Sequence, residues 1–230
     1  MENENNYKNI IFNALLKKNP ILVSGMVIAP VVMTADSFSR AVTLAAAFSV
    51  ITFFTLLLSS FVPKRIVYTV RIIMYAFIGA LVYVPAAIML RYFIPEEIDK
   101  MGIFFPLLII NSFIISRSES IFFLESKGKM LLDIVFCIIG YDAAVILYGT
   151  VREIIGSGTV GGNIIGMSIV FPAFAAPFGG FILLGIMAGL LRSILVTIKK
   201  VRRQTEPAPA PAPVSEHSPA HLSPPKVSDQ

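Results

Sequence analysis

Residues 19–34, NPILVSGMVIAPVVMT, and residues 102–116, GIFFPLLIINSFIIS, decide how this chain is read. Both are short apolar segments broken by residues that disturb helices: Pro20, Gly25 and Pro30 in the first, Pro106 and the polar pair Asn111 and Ser112 in the second. Two longer apolar runs follow each of them, residues 41–62 and 72–90 in the first half, residues 130–151 and 171–197 in the second. Each long run approaches or exceeds the roughly 20 residues a helix needs to cross the hydrocarbon core. The order short, long, long thus occurs twice. Matched broken segments in the two halves of a membrane protein point to an inverted repeat with its functional centre at the repeat interface. The sequence therefore predicts an all-α integral membrane protein of six transmembrane elements, an inverted repeat of two three-helix units in which the first element of each is broken and short.

Lipid tolerates a backbone break only where protein or trapped water satisfies the freed groups. Gly25, Pro30, Pro106 and Asn111 are accordingly candidates for an ion pathway. The plainer alternative is two poor helices packed in a bundle; the corresponding positions of the breaks in the two halves argue for function.

Composition agrees with a lipid-facing chain. It is 56% hydrophobic and 14% charged, with a mean hydropathy of +0.79, whereas a soluble domain keeps roughly a quarter of its residues charged. One cysteine, Cys137, excludes a disulfide framework within the chain and a metal site built from several thiolates. The first 18 residues carry Lys8, Lys17 and Lys18 and lack a secretory-signal pattern, so the spans themselves are expected to direct insertion.

Soluble-enzyme signatures are missing. Gly156, Gly158, Gly161, Gly162 and Gly166 form a glycine-rich run, but no lysine follows in P-loop position and no strand–helix unit surrounds it. It reads as the outer connection between spans five and six. Gly179, Gly180, Gly185 and Gly189 in the last run have spacings that let helices approach closely. No catalytic residue, metal site or nucleic-acid partner is expected.

Basic residues set the orientation. With a cytoplasmic N-terminus, Lys64, Arg65, Arg71, Arg117, Lys127, Lys129, Arg192, Lys199, Lys200, Arg202 and Arg203 fall inside with the N-terminal lysines, and only Arg40, Arg91, Lys100 and Arg152 fall outside. Both termini are then cytoplasmic. Three regions follow: a cytoplasmic segment 1–18, a membrane domain 19–200 and a tail 201–230. From Glu206 the tail is a Pro-Ala repeat followed by Ser, His and Pro, a composition too poor in apolar surface to offset the entropy of folding, so it is expected to be disordered. His217 and His221 in that coil read as solvated.

Charges at depth in a membrane are costly and face protein or water. Asp142, beside Tyr141, is the deepest candidate. It reads either as a cation or proton relay or as a hydrogen-bonded contact between helices. Asp133, Arg152 and Glu153 lie near the ends of the same run; Arg152 and Glu153 point about 100° apart on a helix and need not pair.

Four stretches carry a resemblance: residues 19–30, residues 102–119, residues 147–159 (LYGTVREIIGSGT) and residues 177–185 (PFGGFILLG). Over about residues 15–200 the chain resembles the Rnf/Nqr membrane subunits, nearest in motif to the branch of the Rnf E and Nqr D subunits. The resemblance implies a bacterial inner-membrane complex that couples electron transfer to Na+ or H+ transport. It also implies a homologous partner of inverted topology, an iron-sulfur cluster shared between the two at the midplane, and flavins on other subunits. Each subunit of the family supplies two cysteines to that cluster, one from each broken segment. Those positions here read Ala29 and Ser112. Neither side chain can be a thiolate ligand, and such clusters take four cysteines, so no cofactor is expected to be bound by this chain alone. A family acidic position in the third run aligns with Ala87.

The resulting reading is a membrane subunit of an Rnf/Nqr-type ion-translocating redox complex without its own cluster ligands. A transporter of a small solute or ion that reuses the inverted-repeat fold is the alternative, and an anchor whose tail recruits a partner is a third.

Overall fold

The computed structural model describes residues 25–63, 65–109, 111–121, 127–165 and 170–205. In chain order the helices are α1 (Ile28–Thr34), α2 (Phe38–Ser59), α3 (Tyr68–Phe93), α4 (Pro95–Met101), α5 (Phe104–Leu107), α6 (Ser112–Ile121), α7 (Lys127–Ser157) and α8 (Pro177–Thr205). A small hairpin pairs β1 (Thr159–Val160) antiparallel with β2 (Asn163–Ile164), and a 3-10 turn spans Pro172–Phe174.

Helix ends follow local chemistry. The Ser37 hydroxyl accepts from the Arg40 N–H at the start of α2, an N-cap that the apolar run beginning at residue 41 does not reveal. Pro95 opens α4 and Pro177 opens α8, where proline's missing N–H costs nothing. The expected single run over residues 171–197 is divided, because Pro172 and Pro177 hold its first residues in the 3-10 turn. At its other end α8 continues to Thr205, past the expected boundary at residue 200.

Four helical stretches are long and apolar enough to cross a membrane: Phe38–Ser59, Tyr68–Phe93, Met130–Ser157 and Pro177–Thr197. They correspond to the four long runs. Pro95–Met101 and Phe104–Glu119, bent by 77° at their junction, make a fifth if taken together. The helical membrane class is borne out. Residues 1–24 and 206–230, and with them the N-terminal segment, Pro20, His217 and His221, lie outside the described residues.

The centre of the bundle is an antiparallel pair, α2 and α7. Phe38 N–H meets Glu153 at one end, and Ser49 meets Asp142 near the middle. Gly149 permits this approach, because a Cβ there would stand 2.5 Å from the Ala41 Cβ and 3.0 Å from the Ser37 carbonyl oxygen. On the outside, Ile73, Phe77, Leu81, Val84 and Ile88 of α3 and Phe178, Ile182, Ile186, Leu190 and Ile194 of α8 are exposed at helical spacing. Water would penalise such stripes; lipid does not.

Candidate functional site

Each broken segment carries a glycine with positive φ and a proline a few residues on. Gly25 (φ 63°) precedes Pro30, and Gly102 (φ 51°) precedes Pro106. Val27, a β-branched residue, also sits in the left-handed region at φ 60°, ψ 26°, a conformation that costs of order 1–3 kcal/mol and persists only where its surroundings impose it. The short helices that follow, α1 and α5, pack against one another. The structure thus brings the two predicted breaks together.

Within them the candidate residues divide by exposure. Pro30 and Asn111 are buried, while Gly25, Ala29, Pro106 and Ser112 lie on the surface of the chain. Asn111 closes its own break from both sides. Its amide donates to the Leu108 carbonyl at 2.8 Å and its side-chain oxygen accepts from the Ile114 N–H at 2.9 Å, capping α6. Pro30 has its carbonyl occupied by the Thr34 hydroxyl at 2.7 Å. Ala87, half-buried, packs against the core.

Asp142 lies on α7 opposite the middle of α2. One carboxylate oxygen accepts from the Ser49 hydroxyl at 2.6 Å, and the other, also buried, has no hydrogen-bond partner among the described residues. Beside it Tyr141 stacks on Phe48, centroids 3.6 Å apart, and Phe48 meets Phe113 at 5.6 Å. Phe113 follows Ser112 directly, so an aromatic bridge puts Asp142 and the second break at one level of the bundle.

Two ion pairs, one half-buried and one buried, stand at the far end of α2. Arg71 donates to both oxygens of Glu119 at 3.1 and 2.7 Å, and the Tyr75 hydroxyl joins at 2.9 Å. Arg117 lies 2.5 Å from Asp133. In the sequence Arg71 and Arg117 read as orientation charges alone; in the fold they bind α3 to α6 and α6 to α7. The local signal is Arg117 and Glu119 two residues apart among serines, too polar a pattern for a lipid-facing span.

At the opposite end Arg152, 1% exposed, donates to four backbone carbonyls. Nη1 reaches Val32 O at 2.6 Å and Ala35 O at 3.3 Å, Nε reaches Phe174 O and Nη2 reaches Ala175 O, both at 2.9 Å. The guanidinium therefore sits at the C-terminal end of α1, where unpaired carbonyls and the helix dipole favour a cation, and ties it to the turn that starts α8. Glu153 faces elsewhere, accepting from Phe38 N–H at 2.8 Å, the Thr159 hydroxyl at 2.9 Å and Gly162 N–H at 3.1 Å. The two neighbours do not pair, in keeping with their angular separation. Gly161 and Gly162, with φ of 56° and 84°, form the tight turn of the hairpin between α7 and the 3-10 turn; Gly166 lies outside the described residues.

Of the four glycines expected to allow close packing in the last run, Gly180 does so: a Cβ there would meet the Tyr148 hydroxyl at 2.8 Å and Arg152 Cζ at 2.9 Å. Gly179 also packs, against the 3-10 turn. At Gly185 and Gly189 no atom of the described residues lies within 4 Å of a Cβ; α8 leaves the rest of the described chain after its first turns.

A family model described as Rnf-Nqr subunit, membrane protein, matches residues 7–188. The chain belongs to the Rnf-Nqr family. Among its relatives is the D subunit of the Na(+)-translocating NADH-quinone reductase of Tolumonas auensis, 27% identical over 201 residues that cover 84% of this chain and 94% of the relative. The E subunit of the ion-translocating oxidoreductase complex of Buchnera aphidicola is 28% identical over 214 residues, with 85% and 92% covered. Its counterpart in Salmonella paratyphi B is 28% identical over 222 residues, with 89% and 96% covered. In this Rnf-Nqr chain the broken segments, Asp142 and the Arg152–Glu153 clamp all fall inside the matched span.

Proposed function

We propose that this chain is a membrane subunit of an Rnf/Nqr-type complex in which electron transfer drives translocation of Na+ or H+. The observation that carries this reading is the family match over residues 7–188, with relatives named as subunits of ion-translocating oxidoreductases. In this reading the membrane domain is an inverted repeat of six elements with both termini in the cytoplasm of a bacterial cell. The paired Gly and Pro breaks and the contact of α1 with α5 support the repeat. The excess of lysine and arginine on the side of Arg71 and Arg117, against only Arg40, Arg91, Lys100 and Arg152 on the other, supports the orientation.

Its principal partner is a homologous subunit of inverted topology. Ala29 and Ser112 are exposed, so the segments that face the partner offer no thiolate, and this chain contributes no ligand to a shared iron-sulfur cluster. Flavins belong to other subunits. The chain's part in transport is a scaffold with an ion pathway past the breaks at Gly25, Pro30, Pro106 and Asn111 and past Asp142. The missing thiolates favour one second reading, a transporter for a small solute or ion built on the same fold.

Affinity purification from native membranes, followed by mass spectrometry of the accompanying proteins, separates the two. Recovery with other Rnf- or Nqr-like subunits is expected. Recovery alone or as a homodimer sinks the redox-complex reading and supports the transporter.

A further inference from the structure

One face of α2 carries hydroxyls where a membrane helix would ordinarily carry carbon. Ser49, Thr52, Thr55 and Ser59 recur at three- and four-residue spacing, so they lie on one side of the helix. Thr52 and Thr55 are fully buried and Ser59 is 1% exposed. A hydroxyl in a helix can satisfy itself by donating to the carbonyl four residues back. Elsewhere in this chain Thr34, Thr43, Thr150 and Thr197 all do so. Thr52, Thr55 and Ser59 do not, and none of their hydroxyls has a partner among the described residues.

What they face is also polar. The antiparallel register that joins Phe38 to Glu153 and Ser49 to Asp142 brings Thr55 and Ser59 to the level of Asp133. Arg117, paired with Asp133, keeps its Nε without a hydrogen-bond partner among the described residues, and so does the Ser118 hydroxyl, 2% exposed. Thr55 also stands beside Gly79 on α3: a Cβ at Gly79 would lie 3.6 Å from the Thr55 methyl. Unpartnered groups of α2 and α6, two helices in contact, therefore lie at one level of the bundle, next to α3 and α7. Their number argues against a dry interior, where each would forfeit its hydration without return.

We propose that Thr52, Thr55, Ser59 and Ser118, with the Arg117–Asp133 pair, hold a file of water inside this single chain, continuous with the aqueous phase at the end of the bundle where Arg71 and Glu119 lie. Water suits the donor set better than a bare cation. The guanidinium contributes donors only, and the two carboxylates of the region, Asp133 and Glu119, are each matched by an arginine. The hydroxyls donate and accept, as a chain of bound waters requires. At its inner end the file stops at Thr52, on the same face as Ser49, the donor to Asp142. Its use by a transported ion rests on the function proposed above; its hydration does not.

The test is cysteine accessibility in the full chain, in native membranes, with Cys137→Ala as background. Thr55→Cys, Ser59→Cys and Ser118→Cys are each treated with 2-aminoethyl methanethiosulfonate and compared with Leu58→Cys, whose side chain faces outward at 45% exposure. Only a hydrated thiol ionises and reacts, so the three are expected to react about tenfold faster than the control or more. Rates no faster than the control overturn the proposal. A second measurement needs no new thiol. If the hydroxyls stand dry, the paired substitution Thr52→Val and Thr55→Val removes two unpartnered groups and raises the unfolding temperature. The water file instead predicts a lowered temperature, because the waters lose their anchors; an unchanged or raised one overturns it. Both readouts are independent of which proteins copurify with the chain, so this proposal and the redox-complex reading fail separately.

Discussion

Arg152 on α7 donates a 2.6 Å hydrogen bond to the carbonyl of Val32 on α1, joining positions 120 residues apart in sequence. The same guanidinium holds Phe174 and Ala175, so three separate parts of the chain meet on one cation. A charge buried among carbonyls gains from each of them what it lost in hydration.

Replacing that cation should be costly and specific to its shape. Arg152→Met leaves four carbonyl contacts without a donor and should lower stability by about 2–4 kcal/mol. Arg152→Lys should recover only part of the loss, because an ammonium cannot span both carbonyl pairs as the planar fork does. Thermal unfolding of the detergent-solubilised chain distinguishes the three; equal stability of the Lys variant and the parent would show that the fork is not needed.

Glu153 makes a gentler prediction. Glu153→Gln keeps the shape but turns one acceptor oxygen into a donor NH2, so either Phe38 N–H, held by one oxygen, or Gly162 N–H, held by the other, loses its acceptor, at a cost of about 1–2 kcal/mol. Hydrogen exchange should accelerate at the amide that loses its acceptor and leave the Ala35 region, held by Arg152, unchanged.

Gly149 is constrained by its neighbour rather than by its backbone. Gly149→Leu must push α7 away from Ala41 and the Ser37 carbonyl, and a loss of about 3 kcal/mol or more is expected. A stable Gly149→Leu chain with unaltered α2–α7 packing would contradict the register described.

Asp142→Asn should impair coupled ion transport while the complex still assembles, since Asn can still accept from Ser49 but carries no charge. Normal transport in membrane vesicles by an assembled variant would remove Asp142 from the pathway.

For Ala29 and Ser112 the expected result is spectroscopic. The chain purified with the inverted-topology partner proposed for it should lack the visible absorption and electron-resonance signals of a shared iron-sulfur cluster. A stoichiometric cluster ligated from these positions would show that the assignment is wrong.

The fold class is legible in the sequence because hydrophobic runs of span length leave few alternatives: the run 41–62 falls in α2 up to Ser59, and residues 72–90 fall in α3. The breaks are legible too, since glycine and proline act locally through their own backbones. Partners across the bundle are not. Arg152 sits in a readable motif, yet which carbonyls it meets depends on where α1 ends, and that is fixed by packing. The hydroxyls of α2 escape notice for another reason. Threonine and serine scarcely lower the hydropathy of a run that also holds Phe53, Phe54 and three consecutive leucines, so averaging hides a stripe that emerges only once the buried face is known.

The clamp at Arg152 also has a mechanical meaning. It fixes the root of α8 to the end of α1, while Gly185 and Gly189 find no neighbour farther along. A helix of 29 residues is about 44 Å long at 1.5 Å per residue. A tilt of about 5° at the root would therefore swing the far tip by roughly 4 Å over that length. A small rearrangement of the broken segment would thereby be geared up into a displacement approaching the size of a helix turn at the far end of α8.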